Sequence, residues 1–164
     1  MNTILTILFV MICTFVYGSM AGYMVHFLLH TKIFGKLAEG HNRHHTLYTV
    51  DDFTSDNYRD AGDDDSAFVF IPIIVTAIVL MCIPLWFIFS TWWIYPIILV
   101  EGIFVGWLHD YVHEAFHLNE HWLHKYKFIQ KLKEIHVLHH KYPKKNHGII
   151  WFIPDRLFRT FTQK

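Results

Sequence analysis

The chain has 164 residues, enough for one domain with no length left for a second folded module. It is 53% hydrophobic and 18% aromatic with a formal net charge of zero, which argues against a nucleic-acid-binding surface or a disordered tail and for a membrane protein. Its two cysteines, Cys13 and Cys82, lie in long apolar stretches, so thiolate zinc and iron–sulfur sites are excluded and any metal must be held by nitrogen or oxygen.

Residues 1–31 contain no Lys, Arg, Asp or Glu. As a helix they would measure about 46 Å, against about 30 Å of bilayer hydrocarbon. A span starting near Ile4 and ending near Tyr23 sets His26 and His30 at the membrane–water interface or just beyond it. The small residues "GSMA" (18–21) resemble a leader-cleavage site, but the basic start of a leader is missing. The stretch "DDFTSDNYRDAGDDDS" (51–66) reads as a solvated, turn-rich loop.

From Ser66 to Leu108 there are 43 residues with one charge, Glu101. That length holds two spans joined around residues 87–91, with Pro72, Pro84 and Pro96 positioned to kink them; a re-entrant hairpin is the alternative. Glu101, the one charge inside a span, reads as a tunnel or structural residue. Lys32, Lys36, Arg43 and Arg59 lie between the first and second spans, and the other ten Lys and Arg follow residue 109. The positive-inside rule then turns both basic segments to the cytoplasm and the N-terminus outside. The expected fold is all-α: one domain over residues 1–164, an integral membrane bundle of about three transmembrane helices with a cytosolic histidine-rich helical cap.

Fourteen residues are histidine, and thirteen fall into four groups. These are "HFLLH" (His26, His30), "HNRHH" (His41, His44, His45), "HDYVHEAFHLNEHWLH" (His109, His113, His117, His121, His124) and "HVLHH" (His136, His139, His140). Residues at i, i+3 and i+4 share a helix face, so each group aims its imidazoles one way. The doubled HxxHH is the informative spacing. Adjacent residues point about 100° apart on a helix, so His44 and His45 cannot easily join His41 on one ion. One of the pair can serve a first ion while its neighbour turns to a second.

Two ions with about five ligands each need about ten imidazoles, far more than a structural zinc uses. Both HxxHH segments lie on the same expected membrane face, whereas a transport path would spread its ligands through the spans. His109, His121 and His124 read as ordinary packed or surface residues, and His147 as solvated or as a neighbour of a ligand. A metal store or transporter and a bis-histidine haem carrier are rival readings; the clustering and number of histidines disfavour haem.

In order, "HFLLH", "HNRHH", "DYVHEAFH", "FIQKLKEIHVLHH" and the tail "NHGIIWFIPDRLF" resemble the fatty acid hydroxylase superfamily, which includes sterol desaturases, lipid hydroxylases and the smaller carotene hydroxylases. The resemblance covers most of the chain. It implies an integral membrane enzyme with a histidine-held pair of irons at the cytosolic face, which uses O2 and two electrons to hydroxylate or desaturate a lipid; zinc can occupy such sites in isolated protein. It also implies a separate donor, a ferredoxin or a cytochrome b type with its reductase, since no cytochrome domain is fused here. Motif by motif it assigns His26, His30, His41, His44, His45, His113, His117, His136, His139 and His140 as ligands. An ungapped count from His136 would select His117 and His121 in place of His113 and His117; Asp110, preceding the motif, favours the latter. Asp110, Glu114 and Asp155 are candidates to orient imidazole N–H groups, Asp110 and Asp155 the stronger. The tail departs from the family, which often has Trp-Asp and then Phe-Gly-Thr: here Pro154 precedes Asp155 and Arg159 replaces the glycine, which bears on the local turn.

Overall fold

The apolar start of the chain forms one unbroken helix, α1 (Thr3–Leu29). Its first half exposes Ile4, Leu5, Leu8, Phe9, Met11 and Ile12, and only 17% of its most apolar stretch is buried against protein. At 27 residues, about 40 Å, this helix is long and apolar enough to cross a bilayer and protrude. The computed structural model describes residues 3–59, 72–73, 75–80, 82–83 and 92–164. Among these, α1 is the one helix long and apolar enough to span a membrane. The connection expected at 87–91, Pro84 and the acidic stretch beyond residue 59 lie outside the described residues.

Among the described residues, besides helical stretches at 72–73, 75–80 and 82–83, four named α-helices follow: α2 (Lys36–Leu47), α3 (Ile94–Phe116), α4 (Lys127–Lys141) and the short α5 (Ile153–Leu157), with a 3-10 turn at Trp122–Lys125. Among the described residues there is no strand, only one parallel bridge between Ser55 and Leu118. Gly35, at φ 53°, takes the left-handed conformation that reverses the chain between α1 and α2. Pro96 occupies the third residue of α3, inside the first turn where a backbone N–H has no intrahelical partner to lose, so α3 runs unbroken through it. Pro143, just past the end of α4, stops that helix.

The lower half of α1 packs on α3 through small residues. Gly18, Ser19 and Gly22 are buried, and a Cβ on Gly18 would lie 3.0 Å from Val105, one on Gly22 2.7 Å from the His109 ring. Across α3, Gly102 faces Ile78 so closely that a Cβ would fall 2.2 Å from it. α1 thus uses a small-xxx-small stripe, Gly18 and Gly22, to approach α3 closely, the device of helix pairs in lipid. The "GSMA" residues serve this packing. Below, Phe53, Val112, Ala115, Phe116, Leu123, Ile129, Leu132 and Ile149 form the main apolar core, under the last turn of α3 and along α4.

The tail folds back on α1. Asp155, fully buried, accepts hydrogen bonds from the backbone N–H of His147 and Gly148, each 2.8 Å, and from the Thr160 hydroxyl at 2.8 Å, which also meets the Tyr23 hydroxyl of α1 at 3.1 Å. Arg159, in the position expected for glycine, sits at φ 59°. The turn is therefore kept at the cost of left-handed strain on a residue with a Cβ, about 1–2 kcal/mol. Arg159→Gly is expected to raise the midpoint of thermal unfolding in detergent by a few degrees, equivalent to about 1 kcal/mol; an unchanged or lower midpoint would show the turn unstrained.

Candidate metal centre

Ten imidazoles converge where the ends of α1 and α3 meet α2 and α4, and they form two groups of five. The first is His26, His30, His41, His45 and His139; the second is His44, His113, His117, His136 and His140. Within each group one nitrogen per residue lies within 4.8 Å of all the others. The two HxxHH helices divide in opposite senses. From α2 the outer pair His41 and His45 joins the first group and His44 the second, whereas from α4 the outer pair His136 and His140 joins the second and His139 the first. A further i, i+4 pair completes each: His26 and His30 around the end of α1, and His113 and His117 around the end of α3.

The ring nitrogens are spaced as ligands of common ions. In the first group the Nε2 of His30 is 3.0 Å from those of His41 and His139, and His41 is 3.2 Å from His45. In the second, His117 is 3.1 Å from His44 and 3.2 Å from His136, which is 3.2 Å from His140. Two nitrogens each about 2.1 Å from an ion lie about 3.0 Å apart at a right angle and about 3.4 Å at the tetrahedral angle.

Four rings have their tautomer set by backbone. The Nδ1–H of His26 donates to the carbonyl of His147 at 2.6 Å, that of His139 to Lys145 at 2.6 Å, that of His140 to Tyr48 at 2.6 Å and that of His117 to Phe53 at 3.1 Å. A carbonyl can only accept, so the proton sits on Nδ1 and Nε2 turns a bare lone pair inward. Lone pairs aimed at one point repel unless a cation stands among them. The buried Nε2 atoms of His26 and His113 find no hydrogen-bond partner among the described residues, which fits the same need.

Burial enforces neutrality. His44, His117, His136 and His139 are 0% exposed, and desolvation first, neighbouring imidazoles second, hold their pKa values well below the usual 6.5; His41 and His45 behave alike. Burial lowers His30 to about 3 and His140 to about 4.

The remaining expected residues separate clearly. His121 stays outside both groups; its Nδ1 accepts from the Leu123 N–H and caps the 3-10 turn, so geometry favours His113 with His117 as the gathered pair. His124 donates to the Ala115 carbonyl at 2.7 Å, and Glu114 lies near His121. Asp110 lines a small cavity with His26, His41, His109, His113 and Ile149. The Asp155 carboxylate, expected to orient an imidazole, meets backbone N–H groups and Thr160 instead; it acts at one remove, by holding the segment whose His147 carbonyl receives His26. His147 is not solvated: it is fully buried, its ring edge-on to His26 at 5.7 Å and near His139 at 5.3 Å. Composition could not reveal the four carbonyl acceptors, since every residue carries one. The ring of Tyr48, buried 4.1 Å from that of His117, also had no sequence signal.

A model of the fatty acid hydroxylase family matches residues 10–160. The chain belongs to the fatty acid hydroxylase family. No curated protein and no solved structure matches it. Membership implies an oxidoreductase of a membrane-associated, metal-dependent family, and the two histidine groups of the chain could hold metal ions.

Depressed pKa values carry a sign. Unfolded histidines titrate near 6.5, so below that pH the unfolded chain binds protons the folded one refuses, and stability falls with falling pH. The metal-free protein is expected to keep full stability above about pH 6.5 and to lose it progressively toward about pH 4, where His140 titrates in the fold. Thermal unfolding of chelator-treated protein across that window checks this; a flat profile would contradict it.

Proposed function

We propose that this protein is a membrane-bound di-iron oxygenase that hydroxylates, or desaturates, a lipid C–H bond with O2 and two electrons from a separate ferredoxin or cytochrome b-type donor and its reductase. The observation that carries the reading is the pair of five-imidazole groups built from four converging helices. Imidazole nitrogen suits iron, zinc and copper alike, and family membership favours a redox role. When bound, the iron pair supplies oxygen activation.

The chain's own part is positional. His26, His30, His41, His45 and His139 hold one ion, and His44, His113, His117, His136 and His140 the other. All are neutral ligands, so the full positive charge of the ions acts at the site. The carbonyls of Tyr48, Phe53, Lys145 and His147 keep four of the rings aimed. Burial keeps water from the reacting carbon. The cavity lined by His26 and His41 from one group and His113 from the other touches both, with His109, which packs against Gly22 of α1, also in its wall. Three spans, an outside N-terminus and a cytosolic metal face remain our reading of the hydropathy and of the basic segments at 32–59 and 125–164.

A metal store built on the same histidines would bind ions without turning over. Expression in a host of defined lipids or carotenoids, followed by mass spectrometry, is expected to show products heavier by one oxygen or lighter by two hydrogens. These should depend on O2 and reductant and vanish in His139→Ala. Bound metal with no such product would favour storage, and a strong Soret band would point to haem.

A further inference from the structure

The histidine groups reach the surface along one edge. His45 of the first group and His140 of the second are each part-exposed and stack face to face, ring centroids 4.1 Å apart and planes 22° from parallel. His30, also part-exposed, stands 4.8 Å from His45. Both groups therefore come within a ring's width of solvent at one place, and contact between the groups is closest there. Two basic segments adjoin it in sequence: Lys32 and Lys36 follow His30 into α2, and Lys141, Lys144 and Lys145 follow His140. Lys32, Lys36, Lys141 and Lys144 are exposed, with Glu39 the one acid in these segments. The Lys145 carbonyl receives the Nδ1–H of His139, so the basic turn is joined to the first group by one hydrogen bond.

We infer that this edge is the docking site of an acidic one-electron carrier protein, which delivers reducing equivalents through the His45–His140 stack. The inference rests on the oxygenase reading. Each turnover, R–H + O2 + 2 e⁻ + 2 H⁺ → R–OH + H2O, needs two electrons, and a single-electron carrier must dock twice. Exposed lysines in the segments that adjoin a part-exposed ring stack suit such repeated, fast, weak encounters: opposite charge raises the on-rate and lets the partner leave.

The test uses the metal-loaded full chain in nanodiscs of neutral lipid, mixed anaerobically either with a reduced acidic [2Fe–2S] ferredoxin or with dithionite. Lys141→Glu with Lys144→Glu is expected to slow reduction by ferredoxin about tenfold or more at low salt and to flatten its salt dependence, while dithionite reduces variant and parent at the same rate. The matched change Lys125→Glu with Lys127→Glu, at the opposite end of α4, is expected to leave both rates unchanged. An unaltered ferredoxin rate in the first variant, or an equal loss in the second, would overturn the docking site. Failure of dithionite to reduce the parent protein would instead remove the redox reading on which the site depends.

Discussion

Neighbouring residues on an α-helix point about 100° apart, and in this protein that angle decides how many ions the site can take. In His44–His45 and His139–His140 both members are buried or nearly so, and neither pair can turn both rings to one point. The fold resolves this by placing α2 and α4 so that each sends its i, i+4 pair to one group and its middle histidine to the other. Stacked rings tie the halves together, His41 on His44 at 5.8 Å and His136 on His139 at 5.4 Å. The two groups are thus related by an exchange of roles between helices. Loss of either HxxHH segment would damage both groups at once.

The rest of the structure serves to hold ten uncharged rings in a dry place. Four are fixed through carbonyls supplied by irregular chain, and each of those segments is itself anchored. Ser55 pairs with the end of α3 through two backbone hydrogen bonds of 3.0 Å, which holds the strand-like stretch carrying the Phe53 carbonyl against His117. Asp155 clamps the turn carrying the His147 carbonyl. Asn146, at φ 56°, bonds Ile135 and Thr162 on either side of it. Loop conformation and ring orientation are therefore one problem here, and a change that loosens a loop acts on the metal groups without touching a ligand.

Much of the site could be read from spacing alone, because the i, i+4 rule and the 100° step are local properties of a helix. They led from HxxHH to two ions with about five imidazoles each, while the choice of ten particular residues rested on the family resemblance, motif by motif. A helix at α1 was legible from charge-free length, and most of α3 from an apolar stretch broken only by Glu101. What escaped was whatever depends on backbone or on distant chain. The acceptors at Tyr48, Phe53, Lys145 and His147 leave no mark in composition. His147 looks like a surface residue among lysines yet is buried because the tail returns to α1. Arg159 disguises a turn that glycine would have announced. That Gly18 and Gly22 are small so that Val105 and His109 can pack against them was not visible from the sequence.

The central claim is that the doubled histidine spacing builds two ion sites made of imidazole. Anaerobic titration of the metal-free protein with Fe²⁺, followed by X-ray absorption at the iron edge, tests it most directly. The account predicts an endpoint at two equivalents per chain, with nitrogen as the dominant near neighbour at both. An endpoint at one equivalent, or a shell dominated by sulfur or by protein carboxylate oxygen, would contradict it.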